Sequence, residues 1–217
     1  MFPVTHIWFG EQVLGELDSQ SILGTIFPDM VISGCLEYNT THKSGWRLYE
    51  YFRRQHPEYL GFAKGTVTHG VDPKGLDYYG DERYRGIEKG YCFQKAAAIE
   101  EKVIDSCNIP DSYGLWKAHN FIEMAIELEI YEKFPKAHSH MKKAMADEQA
   151  ISGLCPVLEK YYGLRSGEIR RLVEHFGSFV ELNSPNSETL AKKYDLQMRR
   201  RHNISIDIEK SGRIIEE

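Results

Sequence analysis

The chain has 217 residues, 41% of them hydrophobic and 27% charged, with a formal net charge of -5. That length suits one domain, or one domain with a C-terminal appendage, and the composition excludes wholesale disorder and a membrane span, for which ~20 apolar residues in a row are needed. The acidic balance argues against a nucleic-acid duplex as partner, because duplex binders carry a basic face; it leaves room for a small phosphorylated substrate held through metal ions.

From the start, Thr5 reads as the cap of a first helix running to about Leu17, with His6, Phe9, Gly10, Val13 and Leu17 on one face. A short helix from Asp18-Ser19 breaks at Phe27-Pro28-Asp29, and His42 is expected to open the next one. Pro57 to Asp72 reads as a helix rich in glycine, a composition tolerated best where another backbone or a ligand approaches closely. Lys74 to Lys89 reads as a long irregular loop, and loops of that length are often functional. Gly90–Ser106 and Gly114–Phe134 are expected helices. Four more follow beyond Pro135, near 139–148, 152–162, 166–176 and 187–201, and Ile204-Ile206-Ile208 reads as a short strand or tail. The expectation is an all-α fold, with a metal-binding helical core over 1–135 and C-terminal helices 136–217 packing on it within the same domain.

The cysteines do not carry the chemistry. Cys35, Cys92, Cys107 and Cys155 are scattered and form no CxxC pair, so neither a zinc knuckle nor a disulfide framework is expected. The opening Met-Phe-Pro-Val-Thr-His lacks the features of a secretory signal, and the expected location is cytoplasmic. Weight therefore shifts to imidazole and carboxylate as ligands. On a wheel of the helix from Gly114, His119 and Glu123 are the polar residues within an arc of Leu115, Trp116, Ile122, Ile126 and Ile130. They are i and i+4, and a carboxylate there is costly unless paired or bound to a cation. A self-satisfied His–Glu pair and a metal-binding pair are even readings of these two alone. His69 and Asp72, i and i+3 at a helix end, form a second cluster favourable to a cation. Asp29 and His42 form a third, although alone the first suits a helix cap and the second a surface position. His6 is the fourth element, and a core histidine is its plainer reading.

Together these donors suit zinc first, with iron, nickel or manganese as the other candidates. The order of these residues resembles the zinc-dependent phospholipase C family and the related S1/P1-type nucleases. Thr5-His6 is similar to that family's early ligand histidine, and Leu23-Gly24-Thr25-Ile26-Phe27-Pro28-Asp29 to its G-x-x-x-P-D segment. His42 falls near its next histidine, Phe62 to Asp72 is similar to its glycine-containing helix, and His119-Asn120-Phe121-Ile122-Glu123 matches its H-x-x-x-E. The likeness spans about residues 5 to 125. It implies a compact multi-helix fold of that type and a metal-dependent hydrolase that attacks a phosphoester through a metal-activated water. It also implies that Asp29, His42, His69 and Asp72 share one metal, that Asp72 bridges to a second near His6, and that His119 and Glu123 hold another.

The chain departs from that pattern. The terminal Trp ligand of the secreted members is missing, the His69–Asp72 spacing is one residue short, and a further histidine is absent, for which Asp77 or Asp81 is the stand-in. One or two metals are therefore expected. Asp72, or a loop carboxylate, is the expected general base. Lys74, Arg83 and Arg85 are candidates for holding phosphate, and Tyr78, Tyr79 and Tyr84 for one wall, though each also suits an ordinary surface position. The alternatives are a non-catalytic metal-binding helical protein and an HD-type phosphohydrolase; the latter needs an adjacent His-Asp pair that the sequence lacks.

Overall fold

Proline at the first helical position presets φ and forfeits no hydrogen bond, so α1 begins at Pro3 and runs to Leu14, three residues earlier than a Thr5 cap would set it. Its first amides are capped from a distance. In this computed structural model, which describes residues 2–82 and 88–217, Glu127 accepts from the Val4 amide at 2.9 Å and from the Thr5 amide and hydroxyl at 2.8 Å each. The carboxylate belongs to α8 (Gly114–Lys133) and thereby ties the first helix to the longest one.

The described residues form an all-helical protein of thirteen α-helices with no strand. No helix among them is long and apolar enough to cross a membrane. The N-terminal half contains α2 (Ser19–Ile26), a 3-10 turn over Phe27–Ser33, α3 (Tyr38–His42), α4 (Gly45–Gln55) and α5 (Leu60–His69). His42 closes a helix instead of opening one. The segment expected as a loop is partly ordered into a single π turn, Tyr78–Glu82. The stretch from 90 to 106 divides into α6 (Tyr91–Ala96) and α7 (Glu100–Cys107), because the chain turns at Ala97 and Ile99. Then come α9 (Pro135–Met145), α10 (Glu148–Tyr162), α11 (Glu168–Phe179) and α12 (Ser187–His202). The Ile204–Ile208 stretch is a connector into α13 (Ile208–Glu216), without strand pairing.

The glycines of α5 work as close-approach residues. A Cβ on Gly65 would stand 2.2 Å from the Ser21 carbonyl oxygen, and one on Gly24 would stand 2.0 Å from that of Phe62. Bare backbone on both sides lets α2 and α5 touch main chain to main chain. That crossing places the end of α5 beside Thr25.

Two apolar clusters fill the interior. One gathers Ile7, Phe27, Phe52, Phe62, Met141 and Leu158; the other gathers Val103, Phe121, Met124, Leu190, Tyr194 and Ile215. The first cluster continues across residue 135 into α9, α10 and α11, while α12 and α13 pack on the second. Because α8 lies between them, contributing Ile130 to one and Phe121 to the other, it is buried on several sides. The single stripe read from its sequence is therefore too narrow. Lys117 and Glu127 are also buried, and Trp116, assigned to the apolar arc, is 42% exposed.

Candidate metal centre

Five side chains from four separate segments and the approach to the π turn converge where α1, α3 and α5 end or pass beside the Phe27–Ser33 turn. His6 comes from α1, Asp29 from the turn, His42 from the last position of α3 and His69 from the last position of α5. The fifth is Asp77, just before the π turn, and it is 2% exposed. Its carboxylate lies 3.3 Å from His6 Nε2, 3.5 Å from His42 Nε2 and 3.2 Å from His69 Nε2. Asp29 faces the same three nitrogens at 3.8, 3.5 and 3.7 Å. Donors bound at about 2.1 Å to one ion stand roughly 3.0–3.4 Å apart, so these separations sit at or slightly above a closed coordination shell.

The imidazoles are set from behind. His69 Nδ1 lies 2.5 Å from the Thr25 carbonyl, and His42 Nδ1 lies 3.1 Å from the Tyr38 carbonyl. A carbonyl only accepts, so His69 Nδ1 donates to Thr25 and turns Nε2 to the carboxylates; His42 Nδ1, which also lies 2.9 Å from the Thr41 hydroxyl, likewise leaves Nε2 facing them. That is the orientation a metal-ligating histidine needs. His6 stacks flat on His69, with ring centroids 3.5 Å apart and planes 5° apart. His6 Nε2 and His69 Nε2 are buried without an aligned hydrogen bond, and such orphaned atoms are expensive unless something fills the space between them.

The charges are balanced accordingly. Burial, reinforced by the neighbouring His69, lowers the His6 pKa to about 4. Burial also disfavours the charged form of His69, but the Asp77 and Asp29 carboxylates outweigh it and raise that pKa to about 10. Asp29 and Asp77 are held well below the ordinary carboxylate range: burial opposes this, but positive neighbours, His69 among them, prevail. The charge on His69 is one of the positive charges that offset the Asp29 and Asp77 carboxylates. A divalent cation would do so better.

A second group lies along the π turn and α8. Ligand atoms of Asp81, Cys92 and Glu123 all fall within 4.8 Å of one another. Burial and the facing Glu123 push Asp81 well above the carboxylate range, as expected when two carboxyls meet away from water. Burial likewise pushes the Cys92 thiol up. Glu123 is steadied by Asn120, whose amide nitrogen donates to it at 3.1 Å while the Asn120 oxygen accepts from Tyr194 at 3.1 Å. The same amide nitrogen lies 3.0 Å from His119 Nε2, and the His119 ring stacks on Phe93 at 4.2 Å. Both groups open on one cavity of about 570 Å³, whose wall includes Asp29, His42, Asp77, Asp81, His119 and Glu123.

The structure gathers His6, Asp29, His42 and His69, and places Glu123 in the second group with His119 beside it. Asp72 is in neither group and is exposed. Its i+3 relation to His69 presumes that the helix continues, but α5 stops at His69 and Gly70 is extended. The Val71 and Asp72 amides then bond to the His42 carbonyl, and the Asp72 side chain turns away. Asp77 lies in the first group and Asp81 in the second. Cys92 stands in the sequence only as one of four scattered thiols, and no signal near it points to this group. Lys74 lies over the Tyr78 ring at 4.9 Å, and Lys74, Tyr78 and Tyr79 are not part of the cavity wall. Arg83, Tyr84 and Arg85 lie outside the described residues.

No family model matches the chain, and neither a curated protein nor a solved structure matches it.

Proposed function

We propose that this protein is a metal-dependent hydrolase of phosphoesters that takes a small phosphorylated substrate into the cavity. The observation that carries this reading is the convergence of three buried Nε2 atoms on two carboxylates at the cavity wall. The order of the site residues along the chain, similar to the zinc-dependent phospholipase C family, supports the choice of phosphoester chemistry. His6, Asp29, His42, His69 and Asp77 would hold the ion, zinc first by the imidazole-rich donor set. Bound there, a divalent ion supplies Lewis acidity, polarising a phosphoryl oxygen and making a water a nucleophile near neutral pH.

The chain's own residues supply the rest. The Thr25 and Tyr38 carbonyls keep His69 and His42 in one tautomer, so the ligand atoms are arranged before substrate arrives. The general-base role anticipated for Asp72 passes to Asp81, which faces the cavity. Glu123 lies beside it.

Elemental analysis of purified protein, followed by assays on phosphomonoesters and phosphodiesters, tests the proposal. One ion per chain, lost in Asp77→Asn together with turnover, is the expected result. Two ions would make Asp81 and Glu123 ligands and remove Asp81 as the base. Stoichiometric metal with no turnover on any phosphoester would sink the hydrolase reading and leave a metal-binding helical protein.

A further inference from the structure

Away from the carboxylates, the cavity wall changes sign. Lys117 is 4% exposed, and its ammonium lies 2.8 Å from His202 Nε2 and 3.5 Å from the centroid of the Trp116 ring. Arg201 stands at the rim of the same cavity. No carboxylate among the described residues pairs with any of the three. Arg201 and His202 have a local explanation, since they occupy the last turn of α12, where cations complement the helix dipole. Lys117 has none. It lies in the first turn of α8, the end that repels a cation, and it is buried without a counter-ion. The same features favour an anion there: a buried ammonium and a guanidinium within the same wall.

We infer that Lys117, Arg201 and His202 form a subsite for a phosphate-class oxyanion, so that the cavity takes a ligand with a second anionic group beyond the one at the metal centre. His202 accepts from Lys117 and so fixes the ammonium at the cavity wall. Lys117 and the metal-centre residues Asp29, His42 and Asp77 line the same cavity of about 570 Å³, which suits a compact ligand with two anionic groups. The subsite stands on its own observations; that the ligand's other end is a scissile phosphoester rests on the proposed function.

Titration of the full-length protein with inorganic phosphate, followed by calorimetry, tests the subsite. The expected outcome is saturable binding that weakens at least about tenfold in Lys117→Met and in Arg201→Gln and persists in Asp77→Asn. Lys117→Met removes an unpaired buried cation and should fold; Arg201→Gln, on the exposed rim, keeps the test decisive if it does not. Absence of millimolar phosphate binding overturns the inference. So does binding that survives Lys117→Met and vanishes in Asp77→Asn, because the phosphate would then be sitting at the metal centre. A second arm compares phosphoesters with and without a further phosphate. A KM lower by at least about tenfold for the former, erased in Lys117→Met, is expected; turnover without that preference overturns the subsite as a substrate handle. Phosphate binding at Lys117 without any turnover would refute the hydrolase and leave the anion subsite.

Discussion

Glu127 and Asp77 are both carboxylates withdrawn from water, yet the protein treats them in opposite ways. Glu127 meets only donors: two amides and a hydroxyl at the start of α1. Asp77 meets three imidazole Nε2 atoms, each a nitrogen that can bind a metal once it carries no proton. A carboxylate answered by donors is a structural joint. One that shares its space with further potential metal ligands suits a cation. Burial alone does not separate the two; the chemistry of the facing atoms does.

The largest expected effect comes from His69→Ala, because His69 belongs to both ligand groups at the first centre. Metal affinity should fall at least about a hundredfold, beyond what loss of an outer partner costs, with helicity retained by circular dichroism. Full metal stoichiometry in this variant after dialysis would break the contrast with Glu127.

Gly65→Ala should cost about 3 kcal/mol, since the new methyl meets the Ser21 carbonyl oxygen at 2.2 Å and neither main chain can yield cheaply. Urea denaturation reads the loss directly. Because α5 delivers His69, metal should also bind more weakly, unlike the outcome of an equally destabilising change elsewhere in the core.

Glu127→Gln sharpens the comparison from the other side. An amide in place of one oxygen turns a donor toward the α1 amides, so about 2 kcal/mol should be lost while metal content stays unchanged. The pH dependence has a definite sign. Burial raises the Glu127 pKa from 4.5 to about 7, against the pull of its hydrogen bonds. Between those values the folded chain holds more protons than the unfolded one. The contribution is therefore full below about 4.5 and lost as pH rises through about 7. Glu127→Gln should flatten that part of the wild-type stability profile.

Much of this is legible in the sequence. The small-residue pattern of α5 announces a close backbone approach, and Gly24 with Gly65 supplies it. His119 and Glu123 are on one face of a helix, as their spacing requires. What periodicity does not supply is everything set by helix ends and by segments without a period. His42 ends α3 because Lys43 leaves the helix. Glu127 looks like one more charge on a long helix, since its partners are more than 120 residues away. Lys117 escapes a helical wheel for a related reason, as a wheel drawn for one buried stripe misses a helix that two cores enclose. Cys92 reaches the second group only through tertiary packing.

Asp72→Asn should do least. If spacing alone selected the ligands, Asp72 would bridge two metals, and its loss would empty the site. In the folded chain the helix has already ended at His69, the Asp72 amide is engaged by the His42 carbonyl, and the carboxylate is exposed. The backbone bond survives the substitution, and no ligand atom is removed from either group. Stability should change by less than about 0.5 kcal/mol, with metal stoichiometry and turnover unaltered. Asp77→Asn, five residues on and isosteric in the same way, should abolish both, because an amide cannot serve three imidazole-facing directions as a charged carboxylate does. Measured side by side, the two variants decide whether the spacing along the helix or the place where the helix stops selects the ligand.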